Sequence, residues 1–352
     1  MRHQVAELPP TAVLLSEHRL QRLRCPACGA TTRAKLPPDV PRGAFGPCLQ
    51  AAVVTLAVRN RVSRRDAVEL VGELFGARIS AGSVEAILQR AATAPCEPYE
   101  DLLRHIRSAS AVNIEKTGWR LRGGKRTLQG RAHLPRGGLP HRRGSPPPRG
   151  PGAARRGLLR QRLRGPLVGL STTSMRNGGS CALAHLGRDF TAHSEGLAAQ
   201  KQFGAAGLEI AAGLFAAWGE FRGDADRNRL LERTGPLKEE LRALLEEAAR
   251  KSARNRRQRS FAGNLLKRWP ALWSFAGMPD VEPTNNHAER GLRGAVIYRK
   301  LSLGSQSERG EHTIERLLSA SVTCRLQRRS LFAYLADVLT AEARGDPIPL
   351  LS

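Results

Sequence analysis

Thr284-Asn285-Asn286-His287-Ala288-Glu289-Arg290-Gly291-Leu292-Arg293, closely followed by Ile297-Tyr298-Arg299-Lys300, is the stretch on which the reading of this chain turns. It sets one carboxylate, Glu289, among the cations Arg290, Arg293, Arg299 and Lys300. The Thr-Asn-Asn lead can cap a helix start. The helix that follows puts Glu289 and Arg293 on one face, four residues apart. An acid beside cations in this spacing suits a metal-binding carboxylate next to phosphate-binding groups.

Composition sets the surroundings. At 352 residues the chain is long enough for two or three domains and a substantial core. Its formal net charge of +26 and pI near 11.3 point to a polyanionic partner, most simply nucleic acid, although charge alone also fits ribosomal or membrane-surface proteins. The basicity is local: Lys116 to Arg188 contains no Asp or Glu and 17 Lys and Arg, which leaves +9 (26 minus 17) for everything else. The longest clean apolar run, Ala51 to Val58, is too short to span a bilayer. Met1-Arg2-His3 leads into Glu7, Pro9 and Pro10 rather than into an apolar core and cleavage site, so a cytoplasmic protein is expected. Six scattered cysteines do not make a disulfide framework in a chain of this size, and only Cys25 and Cys28 form a motif.

Residues 1–44 are rich in Pro and Arg around Cys25-Pro26-Ala27-Cys28-Gly29. Two thiolates on a tight knuckle read as half of a zinc ribbon. Structural zinc wants four ligands, however, and His18 and Cys48 are the only nearby candidates to join them, so a metal-free loop is the competing reading. An apolar helix over 46–59 is followed by a helix beginning at Ser63, with Asp66 three residues on, and by a third beginning near Ser83. Helix, short turn, helix fits a DNA-binding helix-turn-helix with Arg90 as its one cationic contact; an ordinary helical hairpin fits equally. Residues 109–122 read as a strand, a turn and a second strand. From Asp189 to Pro279 the pattern is helical, with Leu237, Leu241, Leu244, Leu245 and Ala248 along one face and Trp269 and Trp273 packed into a core. Two helices, 314–326 and 331–343, close the chain before Gly345-Asp346-Pro347.

The Glu289 stretch resembles the C-terminal catalytic motif of the insertion sequence 66 transposase family, which carries the third acid of an Asp-Asp-Glu triad in a Thr-Asn-Asn-x-Ala-Glu-Arg-x-Leu-Arg context. The likeness extends over Phe45 to Arg122 and His185 to Leu350. It implies an α/β, mainly helical protein: a disrupted ribonuclease H-like catalytic core with an N-terminal helical DNA-binding region and an all-α insertion. On that template 1–44 is a partial zinc-ribbon-like segment, in a family that usually has another cysteine pair upstream, so that the chain begins inside that domain. Residues 45–108 are then the helical region, 109–126 the first core strands, 184–280 the helical insertion, 281–328 the C-terminal catalytic region and 329–352 the last helix and tail.

The family's first catalytic Asp lies in an Asp-Glu-Thr-Gly-Trp motif. Alignment through Asn113-Ile114 and Thr117-Gly118-Trp119 puts Glu115 at that Asp and Lys116 at the following Glu. The second Asp, in an Asp-Arg-Trp-Trp-Ala-Tyr context, has no counterpart. Residues 127–183 instead form a basic Arg/Gly/Pro-rich segment, expected to be irregular and exposed from 130 to 180. Back-translation supplies an origin. Gly165-Pro166-Leu167-Val168-Gly169-Leu170-Ser171 can be encoded GGA CCG CTG GTG GGC CTA TCG, and a reading that starts one nucleotide later gives Asp-Arg-Trp-Trp-Ala-Tyr.

The resemblance implies metal-assisted DNA strand cleavage and transfer at the terminal inverted repeats of an insertion sequence, by a homo-oligomer on DNA and not at a membrane. Glu115 and Glu289 would hold Mg²⁺, with Arg90, Arg290, Arg293, Arg299 and Lys300 on DNA and Cys25 and Cys28 as a partial Zn²⁺ site. With the middle acid gone, an enzyme inactive as encoded is expected; the alternative is a non-catalytic DNA-binding remnant.

Overall fold

The uncharged run from Gly46 to Val58 can only be a buried helix, and it forms α1 (Pro47–Val54), which widens into a π-helical turn over Thr55–Arg59. The computed structural model describes residues 3–8, 12–37, 40–41, 43–109, 112–133, 167–173, 183–196, 198–250, 255–278 and 281–351. After α1 the chain enters α2 (Arg64–Phe75), whose start is fixed as the spacing predicts: Ser63 Oγ accepts a hydrogen bond from the Asp66 N–H at 3.1 Å. The next helix, α3 (Ala81–Thr93), begins two residues earlier than the reading at Ser83, because Ser80 supplies the cap oxygen to the Ser83 N–H at 3.0 Å. In α4 (Cys96–Arg107), Tyr99, Leu102, Leu103 and Ile106 face inward.

A hairpin follows. β3 (Asn113–Leu121) pairs antiparallel with β4 (Gly124–His133), and the two-residue turn Arg122-Gly123 has both φ angles positive, at 49° and 79°. β5 (Leu167–Thr173) pairs antiparallel with the other side of β4, giving the order β3-β4-β5. The expectation of an irregular, exposed 130–180 is therefore corrected at both ends of that segment. Residues through His133 stay in the hairpin because Leu128, Gly130 and Ala132 alternate inward, and Leu167–Thr173 is rich in β-branched and apolar residues that suit a strand. The rest of the segment, 134–166 and 174–182, lies outside the described residues.

One hydrophobic core, running from Ala51 to Leu351, gathers α1 to α4, the sheet and the last three helices, α11 (Asn286–Ser302), α12 (Glu308–Leu326) and α13 (Leu331–Arg344). At its centre is α12, buried on most of its circumference, with Leu317, Leu318, Ser319, Ala320, Thr323 and Cys324 all inaccessible.

A second core lies in the segment between the strands and α11. It is built from α5 (Leu183–Ser194), α6 (Ala198–Asp224), α7 (Arg227–Arg250), α8 (Arg256–Leu266), α9 (Trp269–Leu272) and α10 (Ser274–Gly277). Leu241, Leu245 and Ala248 of the expected apolar stripe are buried, and Trp269 meets Trp273 edge-on with ring centroids 5.5 Å apart, as a core pair does. α5 and α6 approach closely at Gly204 and Gly207, where an added Cβ would run into the Ser194 backbone and the Phe190 ring. No helix of the described residues is long and apolar enough to cross a membrane.

Candidate functional site

The two-residue turn of the hairpin decides which way β3 points its polar groups. Leu121 opposite Gly124 is a hydrogen-bonded pair, so odd-numbered residues back to Asn113 bond to β4. Ile114, Lys116, Gly118 and Arg120 then direct their carbonyls to the open edge. That edge is met by α11 and its flanks rather than by another strand. Asn285 Nδ2 donates to Ile114 O at 2.9 Å, Arg299 Nη1 to Gly118 O at 2.6 Å, and Ser305 N to Arg120 O at 2.9 Å. The Arg122 N–H returns a bond to Ser305 O at 3.0 Å, making a single parallel bridge between Leu121 and Ser305. Gly304 allows this approach: it sits at φ +107°, and a Cβ there would collide with Arg120 O.

The same three residues also grip the side chains on one face of β3, where Glu115, Thr117 and Trp119 lie at every second position. Asn285 Nδ2 donates to Glu115 Oε2 at 2.8 Å, Arg299 Nη1 to Thr117 Oγ1 at 2.9 Å, and Trp119 Nε1 to Ser305 Oγ at 3.3 Å. Strand alternation sends Lys116, an exposed residue, to the opposite face from half-buried Glu115. Opposite Glu115 on β4 is Gly130, which contributes no side chain to the space beside the carboxylate.

Asn285 is only 3% exposed. It was expected to cap α11 but makes no side-chain cap bond, because its amide is turned to β3. Two acceptors face Nδ2, which fixes the orientation of the amide and leaves Oδ1 buried with no hydrogen-bond partner among the described residues. One turn later comes Glu289, whose N–H donates to Asn285 O at 3.0 Å. Asn285 thus connects the two acids. Glu115 is fastened to the residue one turn ahead of Glu289, at the end of α11 where the helix dipole favours negative charge. Among the described residues no three of His, Cys, Asp and Glu converge on one point.

The cations divide. Arg290, Arg293 and Lys300 are exposed on α11, with Arg290 Nε donating to Asn286 O at 3.2 Å. Arg299, expected on DNA, donates from Nη1 to Thr117 Oγ1 and Gly118 O. Arg90 is exposed, but its guanidinium lies against Gly43, and the other outward residues of α3 (Ala81, Gly82, Ala86 and Thr93) carry no charge. α3 itself packs on α1, α2 and α12. The pair α2 and α3 is fastened to the site by Arg64, which donates to Glu85 Oε2 at 3.2 and 3.1 Å and to Tyr298 Oη at 3.1 Å.

Cys25 and Cys28 sit on a tight turn between β1 (Arg22–Arg24) and β2 (Thr31–Arg33), closed by Cys25 N to Ala30 O at 2.8 Å and Gly29 N to Cys25 O at 2.9 Å. Hydrogen bonds from the Cys28 and Ala27 backbone pull the Cys25 thiol below its ordinary pKa, toward the metal-binding thiolate. Within the described residues the knuckle offers these two thiols, with neither His18 nor Cys48 joining them in a group of three.

Residues 175–313 match the family model described as Transposase IS66 family. Over that stretch the chain is similar to the IS66 transposase family. The matched stretch contains Glu289 and its cations but begins after Glu115, inside the basic middle segment. The chain is also 39% identical over 75 residues to the uncharacterized protein y4hP of Sinorhizobium fredii, a similarity that spans 21% of this chain and 14% of that protein. No solved structure matches. Of the residues that matter at the site, the sequence reading missed the clamping roles of Asn285, Arg299 and Ser305. Asn285 was visible as the polar residue ahead of the helix; nothing in the sequence signalled Ser305.

Proposed function

We propose that this chain is the DNA transposase of an insertion sequence in which strand cleavage is disabled as encoded, leaving a protein that binds DNA. The observation that carries this reading is the Glu115–Asn285–Glu289 constellation: two acids brought to one helix end, beside exposed Arg290, Arg293 and Lys300, in a chain with no Asp or Glu from Lys116 to Arg188. The three-stranded sheet with α11 against its edge is in keeping with a curtailed ribonuclease H-like core.

The oxygens present suit a hard divalent cation. Two carboxylates and the buried Asn285 Oδ1, unpartnered among the described residues, are the donor types Mg²⁺ takes, and Mg²⁺ would supply Lewis-acid stabilisation of the attacking and leaving oxygens in phosphoryl transfer. The chain's own residues do the rest. Asn285 orients Glu115, Gly130 leaves room beside it, and the outward cations of α11 hold the phosphodiester backbone. What is lacking is negative charge: two metals about 3.5–4 Å apart need bridging carboxylates, and two acids with one amide are too few. On the N-terminal knuckle Cys25 and Cys28 fit half of a tetrahedral Zn²⁺ site. In this reading the targets are the element's terminal inverted repeats, bound by a homo-oligomer.

A nicking assay on duplexes carrying the element ends, with Mg²⁺ present, decides the matter. Binding without nicking is expected from the protein as written, and also after Glu115→Asp with Lys116→Glu. Vigorous Mg²⁺-dependent cleavage that disappears in Glu289→Gln would refute the disabled enzyme. The coding DNA gives a second test: an open offset frame across codons 128–170 encoding Asp-Arg-Trp-Trp is expected, and a stop codon there would rule out a frame disruption.

A further inference from the structure

The π-helical turn and α12 pack on each other, and each leaves its helix end through an arginine where glycine is the usual residue. The π-helical turn ends at Arg59 and passes through Arg61 at φ 64°, with the Val62 N–H bonded to Leu56 O at 3.0 Å. α12 ends at Leu326 and passes through Arg328 at φ 56°. There Arg329 N donates to Cys324 O at 2.8 Å and Arg328 N to Arg325 O at 3.1 Å, the paired bonds of a Schellman motif. A left-handed conformation is uncommon for a residue with a Cβ, and the two examples here belong to elements that pack on each other.

Five arginines belong to these two ends, Arg59, Arg61, Arg325, Arg328 and Arg329, and the charges of Arg59 and Arg61 reach Arg325 across the junction. Arg329 donates to Gln327 Oε1 at 3.2 Å and lies over the Tyr334 ring at 5.3 Å. The other four form no ion pair with a carboxylate within the described residues. Partial burial, then the charges of Arg59 and Arg61, push the Arg325 guanidinium below its ordinary pKa, so the cations repel one another with no acid between them. The two helix C-termini offset roughly half a charge each, which leaves most of the cluster uncompensated.

We propose that these paired helix ends form a clamp for the DNA phosphate backbone, separate from the Glu115–Glu289 site. The proposal rests on the reading of this chain as a DNA-acting protein. Arginine forks match phosphate oxygens in pairs, and a row of them that reads no base edge holds register and orientation rather than sequence.

Anisotropy of a short fluorescent duplex of arbitrary sequence, titrated with the full chain over a range of KCl concentrations, tests the clamp. The double variant Arg325→Gln/Arg328→Gln is expected to lower the slope of log affinity against log salt by almost two, since each lost phosphate contact removes about 0.9. Arg256→Gln/Arg259→Gln, which removes the same charge from α8, is expected to change it far less. Equal slopes in the two double variants would overturn the proposal and reduce the cluster to undirected positive charge. Arg328→Gly keeps the fold accessible, because glycine suits φ 56°; it is expected to melt no lower than the parent while binding DNA severalfold more weakly. Unchanged affinity in Arg328→Gly would likewise overturn the clamp. Failure of the unaltered chain to bind DNA at any salt concentration is a different result, and would remove the DNA-acting reading itself.

Discussion

The two hydrophobic cores of this chain are assembled by opposite routes. From Leu186 to Ala276, helices follow one another and pack on their sequence neighbours, α5 on α6, α6 on α7, α7 on α8. The core that carries Glu115 and Glu289 is joined across long separations: 170 residues between Asn285 and Glu115, 186 between Trp119 and Ser305, 234 between Arg64 and Tyr298. Closing such loops costs entropy before any contact forms, whereas the local helices gain contacts as they fold. The helical unit is therefore indifferent to the segment 134–166, and the site is not, because its residues come from both sides of that segment. The difference also says where changes are tolerated: substitutions in the segment before α5 are expected to leave α5 to α10 intact, because those helices pack on one another.

That contrast can be broken most directly at Trp119, which is buried on β3 and anchored to Ser305. Trp119→Ala is expected to cost the first core about 3–5 kcal/mol. Hydrogen exchange should show α11 and α12 amides losing protection while those of α6 and α7 keep theirs; parallel losses would mean one cooperative unit. Arg299→Ala comes next, at about 1.5–3 kcal/mol for charge-assisted bonds to Gly118 and Thr117, read as a lower denaturant midpoint for the first core. The mirror experiment is Gly207→Ala, where a Cβ meets the Phe190 ring; overpacking of about 1–3 kcal/mol should fall on α5 and α6 alone.

The smallest expected effect is set by pH. His193 is buried between the Phe203 and Phe261 rings at 5.3 and 5.2 Å, and burial, followed by the charge of Arg257, lowers its pKa against a weaker opposing pull from Asp189. The unfolded chain then binds the proton more readily than the folded one. The His193 contribution is complete above about pH 6.5, and stability is lost as pH falls from there through the depressed folded value, levelling off below it. Melting of the helical unit followed from pH 7.5 to pH 5, both approximate limits, should show this decline and lose it in His193→Phe.

Local signals were legible and distant ones were not. Ser63 with Asp66, the Leu241–Leu245 stripe and the stop at Gly345 each state their structure within a few residues, and they form as read. Glu289 was legible because its helix and its cations are contiguous with it. β5 was hidden: seven residues of strand-forming sequence stand beside a long Arg/Gly/Pro tract, and pairing with β4 decides what their own pattern cannot. The tie of Arg299 to β3 was hidden for a related reason. An arginine beside an acid on a helix suits phosphate, and only the presence of β3, 181 residues earlier, turns it inward.

The closed edge of β3 has a consequence for how such a chain persists. A sheet that has lost part of its sequence ordinarily exposes a row of unpaired backbone groups, the template on which identical chains add to one another and aggregate. Here three of the four outward carbonyls of β3 are already taken by Asn285, Arg299 and Ser305. A second copy finds little on that edge to pair with. The residues that hold Glu115 in place also keep this sheet edge from recruiting a second copy of the chain.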